Sequence, residues 1–286
     1  MNHIKTLFLM TLLTVLLVLA GGAIAGEAGL IFALVFAVVL NVFTWWNSDR
    51  IAIRMTRSQP LPRNRAPKLY DMVERLCARA KLPMPRLYLT PSQQPNAFAT
   101  GRSPRHSAVA VTEGLLRHLD AEEIEGVIAH ELAHIRNRDT LISTVAAVMA
   151  GALTAVARIG TYGMLLGGGR GRGGNPIAIL LAIILAPIAA MLIRMAVSRS
   201  REFAADRTAA AIAGSPSGLV SALRKLDRTA RTSRMQVSEA ASHMFIVNPL
   251  SAGGGMSALF STHPPMERRI ERLQRLQAPG SRPKLR

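Results

Sequence analysis

Four long apolar runs limit what this chain can fold into more than any other feature. They are Ile4–Ala25, Gly29–Trp46, Leu141–Leu166 and Pro176–Val197, each close to the roughly 20 residues a helix needs to cross a bilayer. In hydrocarbon every backbone N–H and C=O must bond within the chain, so such runs are helical. The first two are almost free of charge. The third carries Arg158 and the fourth Arg194, each costly in lipid unless it pairs, snorkels or faces water. Ile4–Ala25 also has the outline of a secretory signal, with Lys5, an apolar stretch and Ala23-Ile24-Ala25 as a cleavage-like end. It is longer than a usual signal core and a second span follows at once, so an uncleaved hairpin is the better reading.

Chemistry is announced by His130-Glu131-Leu132-Ala133-His134. Residues four apart share one helix face, so both imidazoles can reach one metal ion, with Glu131 beside them as a proton acceptor. The surroundings are helical. Asp120 with Glu123 three residues on reads as a capping box, and Ile124, Val127, Ile128, Leu132 and Ile135 recur at helical spacing.

Catalytic zinc takes three protein ligands and leaves a position open, so a third ligand is required. Cys77, the one cysteine, sits in an apolar run with Met72, Val73 and Leu76 and reads as core. Glu202 and Asp206, again four apart, can face one site. Glu202 would bind the metal, and Asp206 would accept a hydrogen bond from a ligand histidine and fix its tautomer. The competing reading pairs both carboxylates with Arg199, Arg201 or Arg207 on a solvated face. Geometry favours the first. His134 and Glu202 flank a helical hairpin that leaves one membrane surface near Leu141 and returns near Val197. At 1.5 Å rise per residue they stand about 10 Å and about 8 Å from that surface.

The expected organisation is two N-terminal transmembrane helices over 1–46, a soluble part over 47–140, a transmembrane hairpin over 141–197 and a second soluble part over 198–286. Within 47–140, Pro67–Lys81 has helical periodicity, while Arg86–Thr90 and Ser107–Thr112 alternate like strands. Asn96, Ala97 and Phe98 lie between those strands. They are either a sheet edge that could take an extended peptide or an ordinary hairpin tip. Leu219–Thr229 and Pro265–Leu276 read as helices, with Ser261-Thr262-His263-Pro264-Pro265 as a helix start. His263 is open to two roles, donor to a developing oxyanion or structural residue.

Arg50, Arg54, Arg57, Arg63, Arg65 and Lys68 follow the second run, and Arg199, Arg201 and Arg207 follow the fourth, whereas Gly26-Glu27-Ala28 has no basic residue. Positive-inside bias therefore puts 47–140 and 198–286 in the cytoplasm, with Arg170 and Arg172 a mild violation. The net charge of +18 suits soluble parts lying against an anionic leaflet. Nucleic acid is not the expected partner: the Gly/Arg stretch near Arg170 is short, lies between apolar runs and lacks an aromatic platform.

His130-Glu131-x-x-His134 with the downstream Glu202-x-x-x-Asp206 resembles the gluzincin metalloproteases. Four spans, Pro95-Asn96-Ala97-Phe98-Ala99, His130 through Asn137-Arg138-Asp139, Glu202 through Asp206, and Ser261 through Pro265 together look like the HtpX membrane proteases of the M48 peptidase family. The resemblance covers essentially the whole chain. It implies a mainly α integral membrane protein with a cytoplasmic α+β gluzincin-like metalloprotease domain and a small β-sheet. It also implies a bacterial inner-membrane zinc endopeptidase with its active site in the cytoplasm, acting on misfolded or damaged membrane proteins in quality control and stress response. His130, His134 and Glu202 would be the zinc ligands and Glu131 the catalytic residue. The Gly/Arg loop and the basic C-terminal tail carry no part of the likeness. Two rivals are a scaffold with structural zinc, which would ordinarily want four protein ligands, and an enzyme dedicated to one lipidated or secreted precursor.

Overall fold

The computed structural model describes residues 2–149, 151, 199–232, 244–247 and 264–276. The fourth apolar run, most of the third, the Gly/Arg loop, His263 and the basic C-terminal tail lie outside the described residues. The chain divides into two compact units, Met1–Asn47 with Val145–Ala196 and Ser48–Thr144 with Val197–Arg286.

In the first unit, helical segment α1 (Asn2–Trp46) reverses on itself at Gly26, whose φ is +59°. Asn41 Nδ2 donates to the Met10 carbonyl at 3.2 Å and to Thr14 Oγ1 at 2.9 Å. In a straight helix residues 31 apart would be about 46 Å distant. The arms touch closely near the turn, where a Cβ on Gly21 would lie 2.4 Å from the Gly29 carbonyl oxygen. The two arms thus form a helical hairpin. Among the described residues one helix, Gly26–Trp46, is long and apolar enough to cross a membrane, with mean hydropathy 2.3. Thr6–Gly22 and Thr140–Met149 are apolar but shorter.

In the second unit, α2 (Ser48–Met55) leads to a four-stranded sheet of β1 (Gln59–Pro60), β2 (Arg86–Thr90), β3 (Ala97–Ser103) and β4 (His106–Thr112), in the order β1-β2-β4-β3. The β2–β4 pair is parallel and the other two are antiparallel. The segment left open between edge and hairpin tip is thus a strand on the sheet's edge. Helix α3 (Pro67–Ala80) buries Leu69, Met72, Val73, Leu76 and Cys77, as its periodicity implies. Burial pushes the Cys77 thiol up to about 11, which suits an inert core residue. Helices α4 (Glu113–His118), α5 (Ala121–Asn137), α6 (Thr140–Met149, of which only the first turn belongs to this unit), α7 (Arg199–Ala213), α8 (Ser217–Thr232) and α9 (Met266–Arg275) follow. One core, including Val73, Leu76, Leu115, Ile128, Leu132 and Leu223, joins the sheet to α3, α4, α5, α7, α8 and α9.

Candidate metal centre

Helix α5 carries the two histidines and is fixed at both ends. At its start the Asp120 carboxylate accepts from the Glu123 N–H at 3.0 Å, and Glu123 accepts from the Asp120 N–H at 2.9 Å. Glu123 also accepts from Lys225 at 2.7 Å and Ser221 at 2.6 Å, so the cap is anchored to α8. At its end Arg138 takes φ +57° and the chain turns sharply before α6. That turn brings the Asp139 carboxylate back to His134.

Opposite α5, alanine-rich α7 presents Glu202 and Asp206 on one face. His130 Nε2 and His134 Nε2 are 3.2 Å apart; Glu202 Oε1 is 3.4 Å from the second, and Glu202 Oε2 is 3.7 Å from the first. A tetrahedral ion about 2.1 Å from each donor would set those donors about 3.4 Å apart, so the residues fit zinc. Both histidines are held from behind. His130 Nδ1 lies 3.0 Å from Asp206 Oδ1, and His134 Nδ1 lies 3.1 Å from Asp139 Oδ2. Carboxylates at both Nδ1 atoms keep the proton there and turn both Nε2 lone pairs to the common point.

Charge points the same way. Burial alone would lower the His130 pKa, but bonds to Asp206 and Glu202 outweigh it and push it up to about 9. The pocket thus attracts a cation, and a metal ion competes there with a proton. When ionised, the buried carboxylates of Glu131, Asp139, Glu202 and Asp206 face the two guanidiniums of Arg201 and Arg269. Glu131 is 2% exposed, and its burial raises its pKa above the ordinary carboxylate value. The Ala99 N–H of β3 donates to its carboxylate.

The sequence profile of peptidase family M48 matches residues 63–277, which includes every residue of this centre. The chain belongs to peptidase family M48. A protease HtpX homolog of Pelotomaculum thermopropionicum is 55% identical over 277 residues, 96% of this chain and 98% of that protein. Another, of Syntrophotalea carbinolica, is 51% identical over 280 residues, 96% of this chain and 99% of that protein. Among solved structures, Ste24p of S. mikatae is similar in fold, with TM-score 0.52 and 19% identity over 95% of this chain and 65% of its own. The M48 assignment makes the chain a metalloprotease, and His130, His134 and Glu202 are a group able to hold its metal.

Sequence reasoning named Asp206 behind a histidine, and the geometry puts it behind His130. The arginine that Asp206 meets is Arg269, with Nε donating to Oδ2 at 3.0 Å and Nη2 to Oδ1 at 2.7 Å. Burial alone would raise the Asp206 pKa, but the charge of Arg269 overrides it and holds the carboxyl below its ordinary value. Asp139 and Arg269 were given no role from sequence. Arg269 did leave a signal, since it falls on the apolar face of α9 with Met266, Ile270 and Leu273.

At the candidate substrate edge, Asn96 and Phe98 are fully buried. Their neighbours are residues 244–247. The Ile246 N–H donates to the Ala97 carbonyl at 3.1 Å, Asn96 Nδ2 donates to the Val247 carbonyl at 2.8 Å, and Phe98 packs edge-on against Phe245. The start of the β3 edge is thus already paired.

Proposed function

We propose that the chain is a membrane-bound zinc endopeptidase that cleaves membrane proteins or their juxtamembrane segments at the cytoplasmic face of a bacterial inner membrane, in membrane-protein quality control and stress response. The observation that carries the reading is the convergence of His130, His134 and Glu202, at tetrahedral-edge separations, beside the buried carboxylate of Glu131. The apolar Gly26–Trp46 helix and the basic residues that follow it support the membrane setting.

In this mechanism His130, His134 and Glu202 hold the metal, while Asp206 and Asp139 keep the two imidazoles turned towards it. Zinc bound there would polarise the scissile carbonyl and acidify the attacking water. Glu131 accepts that water's proton and delivers it to the leaving amine. The Ala99 N–H fixes the Glu131 carboxylate. Because Ile246 occupies the Ala97 carbonyl and Thr140 Oγ1 the Gly101 carbonyl, the Ala99 carbonyl between them is the point of the β3 edge left for an extended peptide. His263 keeps both of its proposed roles, oxyanion donor or structural residue.

The test is purified full-length protein in liposomes. Glu131→Gln should keep one zinc per chain and lose cleavage, whereas His134→Ala should lose both. Cleavage by Glu131→Gln at the wild-type rate sinks the mechanism. Equal rates on a soluble and a membrane-inserted version of one substrate sink the membrane-substrate part.

A further inference from the structure

The side chain of Arg269 is entirely buried, and it is the largest such side chain among the described residues. A buried guanidinium is unfavourable unless its donors are satisfied and its charge is met. Here Nε and Nη2 grip the two oxygens of Asp206 side-on, at 3.0 Å and 2.7 Å, while Nη1 donates to the Ile246 carbonyl at 3.3 Å. The third bond fixes the plane of the fork, because the guanidinium cannot turn without losing Ile246. Asp206 in turn has one face on His130 Nδ1 at 3.0 Å. The shortest contacts therefore run from α9 through α7 to the metal-facing imidazole on α5, while Nη2 also lies 3.4 Å from His130 Nε2 and 3.5 Å from its Nδ1, and Nη1 lies 3.8 Å from Glu202 Oε2.

We propose that Arg269 is a positioning residue of the metal centre: by clamping both oxygens of Asp206 in a fixed plane, it sets the tautomer and ring orientation of His130 and so tunes metal affinity. This rests on the zinc reading of the site and assigns the centre a third layer. A merely structural Arg269 would stitch α9 to α7 and contribute stability with no preference for the metal-bound state. Clamping demands a planar fork. Lysine keeps the charge but is a single point donor, so it can neutralise Asp206 without orienting it.

The experiment measures zinc affinity by competition with a chromophoric chelator on full-length, detergent-solubilised protein, with melting temperature read in parallel. The proteins are wild type, His134→Ala, Arg269→Lys, Asp206→Asn and the Arg269→Lys/Asp206→Asn double variant. Partners behind metal ligands typically change affinity 10- to 100-fold, so Arg269→Lys should weaken zinc by about tenfold or more. In the Asp206→Asn background the same change should weaken it clearly less, because the path through Asp206 is cut and only the longer direct approaches to His130 and Glu202 remain. Arg269→Lys with wild-type zinc affinity and a lowered melting temperature overturns the inference and leaves a structural role. Equal losses in both backgrounds overturn action through Asp206. Wild type that binds no more zinc than His134→Ala overturns the metal reading itself, and the inference with it.

Discussion

A histidine serves a metal only if its other nitrogen is occupied in the right sense, and at this scale Asp139 is decisive. Its Oδ2 stands 3.1 Å from His134 Nδ1 and, as a carboxylate, can only accept. An asparagine of the same shape can instead present its amide as a donor to Nδ1. That would move the imidazole proton to Nε2, the atom that must face the metal. Asp139→Asn should therefore weaken zinc binding by about 10- to 100-fold, with a much smaller change in melting temperature. Chelator competition checks this, and an unchanged affinity would show that His134 needs no help from Asp139. The residue was hard to assign beforehand because it lies five positions after His134, beyond the spacing at which helix faces align. Only the left-handed Arg138 turn brings it back.

Among the elements, α5 depends on how closely α8 approaches it. A Cβ on Gly126 would lie 2.4 Å from the Leu219 backbone nitrogen, and one on Gly218 would lie 2.2 Å from the Glu122 carbonyl oxygen. Two glycines thus let the helix backbones meet at the cap that Glu123 ties to Lys225 and Ser221. Alanine would gain about 1 kcal/mol in helix propensity at Gly126, but overpacking against backbone costs about 1–3 kcal/mol and has no flexible neighbour to relieve it. Gly126→Ala should lower the melting temperature by a few degrees and reduce cleavage with it, since α5 carries both histidines. A rise in melting temperature would show that the helices part without cost. The same elements show what patterning can reveal. Periodicity located α3 and α9 because each has one buried and one wet face, and it located α5, β2 and β4 from their apolar spacing although α5 and β4 are buried almost all round. It could not settle β3, whose Ala97-Phe98-Ala99-Thr100 is buried on both faces and shows no alternation. Nor could it reveal the parallel β2–β4 pairing, a long-range contact. Arg269 was passed over because arginine normally marks the solvent side of a helix.

For the whole molecule, the proposed orientation rests on where charge falls around the apolar arms. The tip of the α1 hairpin, Gly26-Glu27-Ala28, carries no basic residue, while six follow the second arm between Arg50 and Lys68. Moving those six outward would oppose the bias that keeps basic loops inside. The chain offers a clean reporter, since its one cysteine, Cys77, is 4% exposed with a thiol pushed up to about 11. A thiol so buried and so little ionised reacts slowly, giving a silent background. Glu27 and Arg105 are both exposed, one at the hairpin tip and the other at the turn between β3 and β4. In intact cells with a permeabilised outer membrane, a membrane-impermeant maleimide should label Glu27→Cys and leave Arg105→Cys unlabelled until the inner membrane is opened. The reverse pattern would put Glu131 and its metal ligands outside the cytoplasm, and the substrates would then have to be sought among exported segments.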